Sequence, residues 1–153
     1  MNSAKTCKTD NEMELVFDAV SANESLARVS VAAFVTEKNP TLEELSDVKT
    51  AVSEAVTNAI IHGYGKMKGK IRLHCRWEDK LLLMEIEDKG VGIADVQQAM
   101  EPLFTTKPDE DRSGMGFSFM EAFMDELEVT SIPGVGTTVL MKKKLGTDSW
   151  LEE

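Results

Sequence analysis

The stretch 52–65 reads VSEAVTNAIIHGYG and carries Glu54, Asn58 and His62 at four-residue intervals. Glu54 is the single Asp, Glu, Lys or Arg among residues 50–65, in a chain that is 29% charged. Residues four apart share one face of a helix, so a carboxylate and an amide stand one turn apart. A carboxylate so placed can take a proton from an attacking hydroxyl. The amide oxygen is a hard ligand suited to Mg2+, which binds through few protein oxygens and keeps waters or phosphates for the rest. With Leu45, Val48, Val52, Val56 and Ala59 as the core stripe, Glu54 and Asn58 point roughly 200–240° away from Val52 at 100° per residue. A solvated polar face is one reading of that geometry. However, Thr50, Thr57 and Ile61 complete the face without a lysine or arginine, so the helix reads as covered on both sides. A covered carboxylate must be paired, coordinated or protonated, because an isolated buried charge is costly. His62 is read as finishing the helix and is given no catalytic part.

Two glycine turns lie downstream. Asp88-Lys89-Gly90-Val91-Gly92-Ile93 follows a strand; its glycines permit close ligand approach, and its acid can accept a hydrogen bond from an exocyclic amine such as that of adenine. A tight turn capped by Asp is the other reading. Ser113-Gly114-Met115-Gly116-Phe117 opens a helix, and free N–H groups at a helix N-terminus suit a phosphate. Neither turn is a Walker A loop or a dinucleotide fingerprint. Between them, a long loop carries Thr105, Thr106, Lys107 and Arg112, and loops of that length in a small domain are often lids. Arg112 can offset charge on a terminal phosphate, or it is a solvated base among Asp109, Glu110 and Asp111.

The elements that must hold these residues follow from period and punctuation. Alternation predicts a strand over 12–19, with Met13, Leu15 and Phe17 on one face. Helical spacing of Leu26, Val29, Ala33 and Phe34 predicts a helix over 24–37, with Ser21 or Asn23 as N-cap, ended by Asn39-Pro40. Thr41 and Glu44 form a capping box opening the helix of Glu54, which Gly63 and Gly65 stop. Strands are predicted over 70–77 and 81–88, a helix over 117–127, and strands over 128–132 and 137–144. The order β-α-α-β-β-α-loop-α-β-β predicts an α+β, two-layer sandwich with helices on one face of a mixed, mostly antiparallel sheet. One domain over 12–144 is expected, with tails at 1–11 and 145–153.

The 153 residues and 42% hydrophobic content suit one soluble core. A net charge of −10 argues against direct nucleic-acid binding, which needs Lys and Arg to neutralise phosphates. No segment is long and apolar enough for a membrane, and no signal peptide is expected. Two cysteines make no disulfide framework, so a cytoplasmic location is the expectation.

Taken in order, Glu54-x-x-x-Asn58-Ala59, Asp88-x-Gly90-x-Gly92-Ile93 and Gly114-x-Gly116 resemble the boxes of the GHKL ATPase fold of gyrase and the histidine kinases. The likeness spans about residues 12–144. Within that superfamily NESLARVSVAAF, VSEAVTNAIIHGYG, PLFTTKP and RSGMGFSFMEAFMD resemble the small bacterial anti-sigma factors that are also serine kinases, most closely their sporulation branch. The resemblance implies a homodimer that silences a sigma factor and uses ATP and Mg2+ to phosphorylate a serine of an anti-anti-sigma protein. It further implies that Glu54 is the general base, that Asn58 holds Mg2+ and that Asp88 reads adenine. Gly90, Gly92, Gly114 and Gly116 would shape the pocket, and Thr105, Thr106 and Lys107 would belong to the lid. Arg112 would meet the γ-phosphate and Arg28 the protein partners. The stress-response branch, and a nucleotide-gated sigma-binding module without turnover, are the alternatives. A detached histidine-kinase catalytic domain fits less well, since His62 and His74 are the only histidines and neither lies in a phosphoacceptor hairpin.

Overall fold

A computed structural model describes residues 11–101 and 116–146. Strand β1 (Glu12–Asp18) leads into helix α1 (Ala22–Val35) and then α2 (Leu42–Asn58). The hairpin of β2 (Lys70–Glu78) and β3 (Leu81–Asp88) follows, then a short helix α3 (Val96–Ala99), helix α4 (Gly116–Phe123), and the hairpin of β4 (Glu126–Ile132) and β5 (Gly136–Lys144). The element order is the expected one. The strands form a five-stranded sheet in the order β1-β2-β3-β5-β4, and every ladder among the described residues is antiparallel. The expected mixed sheet is therefore corrected to an antiparallel one.

Alternation explains the layering. In β2, Ile71, Leu73, Cys75 and Trp77 are buried while the residues between them are not. The intervening side chains form a charged outer face: Arg72 bridges Glu14 and Glu85, and His74 meets Glu12. On the inner face, α1 and α2 pack together and α4 packs against α2. Phe34 stacks on Trp77 with ring centroids 5.9 Å apart, tying α1 to the sheet. Each large apolar side chain buried in such a core contributes about 1.5–3 kcal/mol.

Helix α2 starts as its sequence requires. The Thr41 hydroxyl accepts from Glu44 N at 3.0 Å, and Thr41 N donates to the Glu44 carboxylate at 2.9 Å. Its buried stripe is Val48, Ala51, Val52, Ala55 and Val56.

Four expectations need correction. Helix α1 turns Ala27, Val31, Phe34 and Val35 inward, whereas Leu26 and Val29 are 46% and 63% exposed; both stripes are apolar at helical spacing, and closeness to α2 favours the one containing Ala27. Gly63 does not stop the second helix: the chain continues as one π-helical turn over Ala59–Tyr64 and ends at Gly65, where φ is 61°. Helix α4 ends at Phe123, not 127, because Lys143 Nζ donates to the Phe123 carbonyl and Asp125 N to the Lys142 carbonyl, which starts β4 early. Leu145 is not tail: it is fully buried, and its N–H donates to the Lys80 carbonyl.

Candidate nucleotide-binding site

The site is assembled from the end of α2, the turn after β3 and the start of α4. Glu54 and Asn58 are half-buried on α2, a helix flanked by α1 on one side and α4 on the other. The start of α4 reaches α2 directly: a β-carbon on Gly116 would come 2.8 Å from Asn58 Nδ2 and 2.9 Å from Oδ1. Gly116 is buried there, as the first residue of α4.

Asp88 ends β3, opposite Thr137 of β5, and is only 6% exposed. Its carboxylate accepts from Gly90 N at 2.9 Å. Burial pushes the Asp88 carboxyl above the ordinary carboxylate range and the nearby Glu87 charge adds to this, while the backbone N–H groups of Gly90 and Thr137 act in the opposite direction. A carboxylate has acceptor sites beyond those two backbone N–H groups, and one of them can take an N–H donor from a bound molecule. Gly90 is required by approach, since a β-carbon would come 2.0 Å from the Gly63 carbonyl oxygen. Gly92 has φ +77°, the left-handed region, and a β-carbon would meet the Ile132 carbonyl oxygen at 2.4 Å. The turn thus lies between the end of α2 and the β4–β5 hairpin, and Gly134 N donates to Val91 O at 2.7 Å.

The structure therefore brings Asn58 together with Gly116, and Asp88 with Gly90, around one helix end. Thr105, Thr106, Lys107, Arg112 and Gly114 lie outside the described residues. Arg28 stands elsewhere on α1, where its guanidinium meets Glu24 at 3.4 Å and Ser25 Oγ at 3.1 Å. It lines a groove of about 380 Å3 with Leu42, Lys49, Thr50 and Ser53; Ser53 donates to Glu24. Among the described residues no group of three or more His, Cys, Asp or Glu side chains is placed to hold a metal ion, so a metal bound at Asn58 would draw most of its oxygens from a phosphorylated ligand.

Sequence spacing missed Gly63 and Tyr64. Gly63 O accepts from Val91 N at 2.8 Å, and the Tyr64 hydroxyl accepts from Lys89 N at 2.7 Å while donating to Lys70 O at 2.6 Å. Tyr64 is the one tyrosine in the chain, and its place between two glycines is the only signal that pointed to it.

An open antiparallel sheet backed by helices, with a glycine turn after β3 packed on the end of α2 and a buried glycine opening α4 beside Asn58, has the form of an ATP-binding domain of the GHKL type. A family model described as histidine kinase-like ATPase domain matches residues 17–143. The anti-sigma F factor of Clostridium acetobutylicum is 56% identical over 135 residues, covering 88% of this chain and 94% of that protein. The anti-sigma F factor of Bacillus subtilis is 53% identical over 136 residues, covering 88% of this chain and 93% of its own. The crystal structure of the RsbU and RsbW domains of Rv1364c from Mycobacterium tuberculosis matches with a TM-score of 0.63 at 19% identity, over 88% of this chain and 32% of that one. The chain spans about a third of that structure's length, and the likeness is one of fold. The chain belongs to the histidine kinase-like ATPase domain family and, within it, to the anti-sigma F factors.

Proposed function

We propose that this chain is an ATP-dependent protein serine kinase that also binds and inhibits a sporulation sigma factor, its phosphoacceptor being a serine of an anti-anti-sigma protein. The contact of Gly116 with the Asn58 side chain carries the reading, because it joins the start of α4 to the polar face of α2. The family and the relatives named anti-sigma F factor support it, and the likeness in fold to a structure that contains an RsbW domain agrees with it.

Glu54 would accept the proton of the attacking serine hydroxyl as its oxygen bonds to the γ-phosphorus and the bond to the departing ADP oxygen breaks. Asp88 would accept from the adenine amine, and Gly90 and Gly92 would let the base approach the backbone. Asn58 fits Mg2+ by its oxygen donor and half-exposed position; the ion would neutralise phosphate charge. Thr105, Thr106, Lys107, Gly114 and Arg112 would complete the phosphate side, as the sequence resemblance implies, with Arg112 at the γ-phosphate. Arg28 would contact the sigma and anti-anti-sigma partners from its groove. A homodimer in the cytoplasm fits this role, and among the described residues no helix is long and apolar enough to cross a membrane.

The test is transfer of label from radiolabelled ATP to a candidate anti-anti-sigma protein by the full chain. Glu54→Gln is expected to keep nucleotide binding and to slow transfer by about 10²–10⁴-fold. Transfer unchanged in E54Q removes the general-base role. Tight sigma binding with no transfer by the wild type leaves only a nucleotide-gated binding module.

A further inference from the structure

The π-helical turn at the end of α2 grips the Asp88 turn at three points. A β-carbon on Gly63 would come 2.8 Å from the Asp88 carboxyl carbon, so Gly63 forms a wall of that carboxylate's site. Gly63 O holds Val91 N at 2.8 Å. The buried Tyr64 hydroxyl accepts from Lys89 N, immediately after Asp88, and donates to Lys70 O at the start of β2. The Tyr64 ring lies close enough to Gly69 that a β-carbon there would come 2.2 Å from it, which leaves the ring one position and the hydroxyl one direction. A π-turn widens a helix by one residue and is frequent at functional sites; here it directs Gly63 and Tyr64 at the turn.

We propose that Tyr64 is a positioning residue for base recognition, its hydroxyl setting where the Asp88 carboxylate stands relative to the nucleotide base. The inference rests on the reading of Asp88 as the adenine acceptor. Without the hydroxyl, Lys89 N–H and Lys70 C=O lose their partner. The turn is then held by Gly63, the β4–β5 hairpin and the Gly90 N–H on the Asp88 carboxylate, and the backbone just after Asp88 loses the tether that fixes its distance from the end of α2. A hydrogen bond to the exocyclic amine depends on that distance, whereas phosphate contacts do not.

The experiment compares binding of ATP and of purine riboside triphosphate, which lacks the 6-amino group, to the full wild-type chain and to Tyr64→Phe. The phenylalanine ring keeps the packing on Gly69 and removes only the oxygen. Wild type is expected to prefer ATP. In Y64F, ATP binding is expected to weaken about tenfold, the scale of one lost hydrogen bond, while the analogue changes little, so the preference narrows. Wild-type ATP affinity in Y64F, or an equal loss for both nucleotides, overturns the proposal, the second outcome marking a purely structural role. A wild type that does not distinguish the two nucleotides removes the reading of Asp88 itself, a separate failure that takes the proposal with it. Should Y64F not fold, amide exchange in the wild type decides: slow exchange of Lys89 N–H with and without ATP supports the tether, and rapid exchange overturns it.

Discussion

The side chain of Asn58 and the backbone of Gly116 are in direct contact, with room for no β-carbon between them: one built on Gly116 would stand 2.8 Å from Nδ2. Far apart in the chain, these residues join the helix of the proposed base and metal ligand to the turn of the proposed phosphate site. Gly116→Ala must push the Asn58 amide aside, since overpacking is relieved by side-chain displacement at a cost of about 1–3 kcal/mol. Binding of Mg·ATP is expected to weaken at least tenfold, and the Mg2+ dependence of binding to shrink with it. Titration of ATP with and without Mg2+ checks both; unchanged affinity rules the contact out of function.

Gly90→Ala is harsher, because the atom in the way is backbone. The added carbon would come 2.0 Å from the Gly63 carbonyl oxygen, which has no rotamer to adopt. The Asp88 turn must separate from the α2 end, breaking the Val91 N to Gly63 O bond. Expected together are a lower melting temperature, by roughly 2–4 °C for each kcal/mol lost, and loss of nucleotide binding. A variant that melts lower yet binds ATP normally contradicts the arrangement.

Asp88 should set stability against recognition. Burial raises its carboxyl pKa in the folded chain above the unfolded value, so the folded state binds a proton more readily than the unfolded one. Stability from this group is then fully present below the unfolded pKa, near ~4, and is lost as pH rises through the raised folded value. Asp88→Asn removes that loss. Without nucleotide at pH 7 it should melt higher than wild type, with the gap closing below pH ~4. ATP affinity should fall because the carboxylate acceptor is gone. Melting curves across pH decide the first part: a variant less stable than wild type at pH 7 contradicts the sign.

Cys75 is fully buried on the inner face of β2, and burial pushes its thiol up to about 12. The thiolate is the reactive form, so iodoacetamide at pH 8 should leave Cys75 unmodified in the native chain and label it once urea unfolds the protein. Peptide mass spectrometry separates it from Cys7. Rapid native labelling would show that β2 is not sealed from solvent by α1 and α2.

Much of the candidate site was legible because its signals are local. Glu54 and Asn58 share a helix, and Asn58 lies against the first residue of α4. Asp88, Gly90 and Gly92 form one turn, and Gly116 opens one helix. The contacts of Gly63 and Tyr64 with the Asp88 turn were not legible. A Gly-Tyr-Gly run after an apolar stripe has the form of a helix stop, and the π-turn that redirects it leaves no periodic mark in six residues.

Sequence by itself determined the order of elements, the capping box at Thr41 and Glu44, both hairpins and the polar face of α2, because helix and strand periods, caps and glycine turns are set by neighbours a few residues away. Tertiary structure alone decided the rest. It inserted β5 between β3 and β4, chose the Ala27 stripe of α1 over the Leu26 stripe, ended α4 at Phe123, buried Leu145, and brought Tyr64 to Lys89 and Asn58 to Gly116. Each of those outcomes depends on the shape of a surface formed by residues distant in the chain, and close packing selects among local patterns that are equally apolar.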